Sequence, residues 1–203
     1  MPNLAIRRSN QPENKMQNAT NIENALPQSE AQTTLNIVRE RVGFVPNLFA
    51  MLAEQPGVVE AFVALDTALT NTSLSPIERQ VVQLTTSVEN RGHYCVAGHS
   101  IFGRSIGMPE QAIEAIRSGA KVDDERLSAL HTFVVQLVRA RGHVRPKDVE
   151  ALTRAGFARE QILEIIMGIT LKTFSNYADS AMRLTLDKQF EPAAWSGTDE
   201  DHQ

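Results

Sequence analysis

Helix-start signals punctuate this chain, each followed by apolar residues three and four positions apart, and that pattern points to an all-α fold. The strongest signal is Ser75-Pro76-Ile77-Glu78. Serine accepts from the free backbone donors of a first turn, proline needs no donor at the first helical position, and a glutamate three residues on completes a capping box. Val81, Val82, Leu84, Thr85 and Val88 then supply a broad buried face. Asn47 reads as the cap of a short helix carrying Leu48, Met51 and Leu52, and Pro56 opens another with Val59, Phe62, Val63 and Leu69. After Arg91-Gly92 a helix carries Tyr94, Cys95, His99 and Phe102 until Gly107 stops it, and Met108-Pro109 restarts the chain toward Ile113 and Ile116. Leu127 to Val138 form a longer helix, Pro146 opens a short one that Gly156 closes, and Ile162, Ile165, Ile166, Ile169 and Phe174 mark a long apolar helix to about Leu184.

Residues 1–28 are rich in Asn, Gln, Ser and Pro without an apolar period, and read as a flexible N-terminal arm. Residues 29–191 form one helical domain, and 192–203 a polar tail ending in Asp199-Glu200-Asp201. Trp195 in that tail is free to dock on the body or on a neighbouring subunit. A faint internal echo runs through the domain. Gly107-Met108 recurs as Gly156-Phe157 and Glu78-Arg79 as Glu125-Arg126, 49 and 47 residues apart. A duplicated helical unit explains these offsets, and so does chance in an all-helical chain.

Composition narrows the function. With 203 residues, 42% hydrophobic and 22% charged, the chain can bury a sizeable single core. A net charge of -4, with Arg139, Arg141, Arg145 and Lys147 as the one small basic group, gives no footprint for nucleic acid. No run approaches roughly 18 consecutive apolar residues, so no membrane partner is expected. The start has no apolar run of signal-peptide length and there is one cysteine, so a reducing cytoplasmic location is expected.

That cysteine, Cys95, lies in Glu89-Asn90-Arg91-Gly92-His93-Tyr94-Cys95-Val96-Ala97-Gly98-His99. Cys95 and His99 are four apart and share a helix face, making a candidate thiol–imidazole pair, although a small core residue and a histidine bonded to a carbonyl fit the spacing too. The helix start beside Gly92 and an adjacent imidazolium would both favour thiolate. Glu89 and Gln80 are candidate orienters, and His93 stands at the helix entrance. A zinc site would have to join His93, Cys95 and His99, with Glu89, but His93 and His99 do not share a helical face, so no metal is expected. Nothing in the sequence marks a haem, flavin or nicotinamide site. Asn176 and Tyr177 interrupt an apolar helix, as pocket-lining residues or as satisfied core or contact residues.

In order along the chain, Val42-Gly43-Phe44-Val45-Pro46-Asn47-Leu48, Leu74 to Arg79, Asn90 to His99, and Asn176-Tyr177-Ala178-Asp179 resemble the carboxymuconolactone decarboxylase superfamily. The likeness is to its peroxidase-related, alkylhydroperoxidase-D-like branch and covers about Leu35 to Phe190. It implies an all-helical, homo-oligomeric protein whose Cys-x-x-Cys-x-x-x-His motif reduces peroxides, assisted by a glutamate on the preceding helix. By that resemblance Cys95 matches the cysteine that attacks peroxide and His99 matches the histidine. The partner cysteine, which closes the disulfide, falls on Gly92, and the glutamate falls on Gln80. Gly92 cannot close a disulfide, and an amide cannot exchange a proton near neutral pH.

The function expected is therefore a peroxide-reducing oxidoreductase working with one cysteine. Cys95 is the peroxidatic thiol, His99 assists proton transfer, and an external thiol regenerates the enzyme. A peroxidase-inactive homologue that binds a small molecule or protein partner is the alternative. Decarboxylation of a muconolactone-like acid is a third reading, disfavoured because no cationic carboxylate clamp is visible in the sequence.

Overall fold

The computed structural model describes residues 30–197; the expected N-terminal arm and the acidic end at 199–201 lie outside them. Among the described residues the chain is helical, with no strand. The order is α1 (Glu30–Val42), α2 (Asn47–Leu52), α3 (Pro56–Thr70), α4 (Pro76–Glu89), α5 (His93–Ser105), α6 (Glu110–Arg117), α7 (Glu125–Arg139), α8 (Pro146–Arg154) and α9 (Gln161–Met182), then a single 3-10 turn, Glu191–Ala193. The expected capping box is formed: Ser75 Oγ accepts from Glu78 N, and Glu78 Oε2 accepts from Ser75 N. Asn47 is not a cap but the first residue of α2, after Pro46. Its own N–H is taken by the Asp187 carboxylate, 3.1 Å away.

Helix α4 is the hub. Every residue from Val81 to Val88 is buried, and the helix packs against α5, α6, α7 and α9. Gly168 lets α9 come this close, because a Cβ there would stand 2.8 Å from Val82 Cγ1. Two apolar clusters flank the hub. One gathers Leu84, Ile113, Ile116, Leu130, Leu152 and Ile165. The other gathers Leu35, Val59, Leu69, Leu171 and Phe190 and also contains Cys95.

The internal echo has a structural counterpart. Glu78 of one dipeptide pairs with Arg126 of the other at 2.7 Å, joining the starts of α4 and α7. The ends of the same helices match as well, at Arg91-Gly92-His93 and Arg141-Gly142-His143. Arg91 and Arg141 turn left-handed (φ 55° and 52°), and the following glycine N–H closes onto Ser87 and Leu137 carbonyls.

Residues 192–195, read from sequence as the start of a tail, are strapped to the body. Trp195 Nε1 donates to the Arg117 carbonyl at 3.1 Å, and the Arg117 guanidinium donates to the carbonyls of Ala193 and Ala194. Trp195 thus docks within its own chain. On the outer face of α9, Leu163, Ile166, Phe174, Tyr177 and Met182 are exposed. No helix among the described residues is long and apolar enough to cross a membrane.

Candidate active site

Helix α5 begins at His93, with Gly92 as its cap residue. Its first turn is not left open for a thiolate. The Tyr94 N–H donates to Asp179 Oδ2 on α9, so a carboxylate already answers the positive end of the helix. Cys95 is 3% exposed, and its Sγ donates to Ser175 Oγ at 3.5 Å. Burial pushes this thiol above its ordinary range; Lys172 and Ser175 pull it down and Asp179 pushes it up, without reversing the direction. The sequence-based expectation that the helix start and an imidazolium would favour thiolate is therefore corrected: desolvation and Asp179 outweigh them.

His99 belongs to a three-residue chain. Its Nε2 lies 3.0 Å from Lys172 Nζ and its Nδ1 lies 2.9 Å from Gln80 Oε1. An ammonium only donates, so Nε2 is the bare nitrogen, and Nδ1–H then donates to the Gln80 oxygen. Burial, and next the Lys172 charge, hold His99 well below the usual imidazole range. It is neutral, and both ring nitrogens are engaged. No hydrogen bond joins Cys95 to His99 directly. The expected pair is thus a looser arrangement in which Lys172 touches the histidine and bears electrostatically on the thiol.

The other sequence candidates lie elsewhere. Glu89 turns away from the site to Arg139, 2.6 Å distant. His93 is exposed, and its Nδ1 meets the Trp195 carbonyl oxygen at 2.9 Å. Glu89 and His93 therefore point away from Cys95 and His99, and among the described residues no group of three His, Cys, Asp or Glu converges on a metal position.

Lys172 escaped the sequence reading, although a signal existed. It is a lone cation at helical spacing within the buried stripe Ile165, Gly168, Leu171, Ser175, Asn176 and Asp179 of α9. The residue is 5% exposed, and its ammonium also sits 5.6 Å from the Phe62 ring centre. Asn176 is also resolved. It is a satisfied core residue, accepting from Asn90 Nδ2 and donating to Ser87 Oγ, and it fills the space in front of Gly92.

A cavity of about 320 Å³ opens onto this group. Cys95, His99 and Lys172 form its buried floor, Leu48, Phe62 and Phe190 its walls, and Arg41, Thr70, Ser105 and Ile106 its exposed rim. One wall is held by a buried latch. The Tyr94 hydroxyl donates to Asp187 and accepts from the Leu48 N–H, tying α2 to the segment after α9.

Residues 56–124, which carry α3 through α6 and the Cys95 motif, match the carboxymuconolactone decarboxylase family. An uncharacterised peroxidase-related protein from Ralstonia eutropha JMP134, described as an alkylhydroperoxidase AhpD core, superposes with a TM-score of 0.76. It is 27% identical over 83% of this chain and 90% of its own. This chain has the fold of the alkylhydroperoxidase-D-like, peroxidase-related proteins. A peroxidase-related protein from Silicibacter sp. TM1040 is similar, with a TM-score of 0.73 and 25% identity over 83% of this chain and 90% of that one. The debrominase Bmp8, whose structure was solved with 2,3,4-tribromopyrrole, shares the fold at 18% identity and TM-score 0.69, covering 83% of this chain and 92% of its own. No curated protein matches this alkylhydroperoxidase-D-like chain. Within this fold, then, Cys95 and His99 line a cavity, while Asn176 occupies the space a side chain at position 92 would need.

Proposed function

We propose that this protein reduces small organic hydroperoxides through Cys95 alone. The observation that carries the reading is the placing of a thiol on the floor of a largely apolar cavity beside a buried ammonium. Burial keeps the resting group a thiol, while Lys172 lowers the energy of the thiolate needed for attack. Sulfur attacks the distal oxygen, the O–O bond breaks, and the alkoxide takes up the thiol proton: Cys–SH and ROOH give Cys–SOH and ROH. Lys172, steadied by His99 and Gln80, is the donor placed to meet the leaving alkoxide. An external thiol then attacks the sulfenic sulfur, releasing water and leaving a mixed disulfide. A second external thiol frees Cys95 as its thiol and leaves with the first as a disulfide.

The experiment is sulfenic acid trapping with dimedone after one equivalent of cumene hydroperoxide, followed by peptide mass analysis. Labelling at Cys95, faster than for an ordinary free thiol by at least about tenfold, is the expected result. Labelling no faster than that sinks the proposal. The raised thiol favours a second reading, a homologue that binds a small ligand without reducing peroxide, and the slow result would leave that one standing.

A further inference from the structure

The inside of the cavity reverses the charge of the protein. The chain carries -4 overall, yet the cavity is lined by Arg41, Arg79 and Lys172 against Asp66 as the sole carboxylate. Arg41 is answered by Asp66, 3.9 Å away. Lys172 is committed to His99 and to the thiol. Arg79 is left over. Its guanidinium donates to the Leu74 carbonyl at 2.6 Å and pairs with no carboxylate among the described residues.

Arg79 is half-buried on α4, next to Gln80 and on the same helix face as Pro76 and Gln83, all of which line the cavity. It therefore stands between the exposed rim and the buried floor. A partly desolvated guanidinium with free donors has a strong, directional demand for a planar anion, and a carboxylate meets it with two parallel hydrogen bonds. The planar fork of a single guanidinium matches the two coplanar oxygens of one carboxylate. Phe62, Leu69 and Phe102 offer apolar contact along the way down to Cys95.

We infer that the cavity takes an amphipathic organic acid, its carboxylate on Arg79 and its apolar body reaching toward Cys95. On the peroxidase reading, on which the identity of the reacting end rests, the substrate is a hydroperoxide that bears a carboxylate at its far end. The volume lies at the small end of the ~300–1,000 Å³ usual for ligand pockets, so a one-ring or short-chain acid fits better than a long acyl chain.

The test is calorimetric binding of p-isopropylbenzoate and of its neutral amide to the full chain. The acid is expected to bind roughly tenfold more tightly, in line with a charge-assisted bidentate pair, and to weaken with added salt. In Arg79→Gln the ratio falls toward one, whereas Arg79→Lys, which keeps the charge but not the planar fork, retains only part of it; melting curves of both variants establish that they are folded. An amide that binds as tightly as the acid, a ratio that survives in Arg79→Gln, or no binding of either ligand at millimolar concentration overturns the inference. Binding needs no thiol chemistry. An inert Cys95 would remove the peroxidase reading and leave this result intact, and failed acid selectivity would do the reverse.

Discussion

Asn176 Nδ2 stands 2.3 Å from the point where a Cβ on residue 92 would lie, and its Cγ stands 2.7 Å away. Gly92 itself has φ -81°, a value open to any residue, so the glycine is required for space and not for backbone conformation. The bare residue 92, where the resembled motif carries its second cysteine, and the buried asparagine are two sides of one packing solution, fixed by the Asn90–Asn176–Ser87 hydrogen bonds.

Gly92→Cys alone should therefore destabilise the protein by about 1–3 kcal/mol, as overpacking does, and should not form a disulfide with Cys95. Gly92→Cys combined with Asn176→Ala removes the obstruction. The double variant should lose two free thiols on mild oxidation and recover part of the lost melting temperature. A Gly92→Cys protein as stable as the parent would contradict the steric account.

Lys172→Met tests the ammonium beside the thiol. Removing the charge should raise the Cys95 pKa further, since Lys172 is a group that lowers it. Iodoacetamide alkylation at neutral pH should then slow by about tenfold for each unit of rise. Fold stability should change little, because methionine removes a buried charge with no carboxylate beside it but leaves the His99 Nε2 without its donor. An unchanged alkylation profile would separate Lys172 from the thiol.

Gln80→Glu supplies the carboxylate that the resembled family carries on this helix. It would accept from His99 Nδ1–H as the amide oxygen does now, but with a full negative charge. The His99 pKa should rise from its depressed value, visible in the imidazole NMR titration, and the acid limb of Cys95 oxidation should shift with it. A titration identical to the parent's would show that residue 80 does not govern the ring.

Stability should decline on both sides of neutrality. His99 and His131 are held below their ordinary 6.5, in each case first by burial; Lys172 adds to the effect at His99. As pH falls below 6.5 the unfolded chain binds protons that the folded one refuses, so stability drops. Cys95 works in the opposite sense: its folded pKa lies above 9.0, the folded chain keeps a proton the unfolded one has lost, and stability drops as pH rises past 9.0. Melting temperatures across this range should form a dome, and His131→Asn should flatten its acid side.

The exposed apolar stripe of α9 leads us to expect association between copies of this chain. Leu163 and Tyr177 are 72% and 65% exposed, and Phe174 lines an apolar groove between α3 and α9. Light scattering should find an oligomer, and Leu163→Glu with Tyr177→Glu should dissociate it. A monomer across the working concentration range would remove the expectation.

Helix caps and apolar spacing were enough to read the all-α architecture, because those signals are local: Ser75 to Glu78 closes its box within one turn, and Val81 to Val88 carry their own burial pattern. The same locality made Cys95 and His99 visible as a motif. It could not say what faces them. Glu89 and His93 are near Cys95 in sequence, yet helix direction sends one to Arg139 and the other to Trp195. The groups that meet the site, Lys172, Ser175, Asn176 and Asp179, arrive from α9, more than seventy residues away, and only the close passage of that helix over α4 at Gly168 brings them there. The sequence alone determined that one thiol must act without an internal partner. The tertiary structure decided its environment, because charge, desolvation and space at Cys95 are set by the helices packed against it and not by its neighbours in the chain.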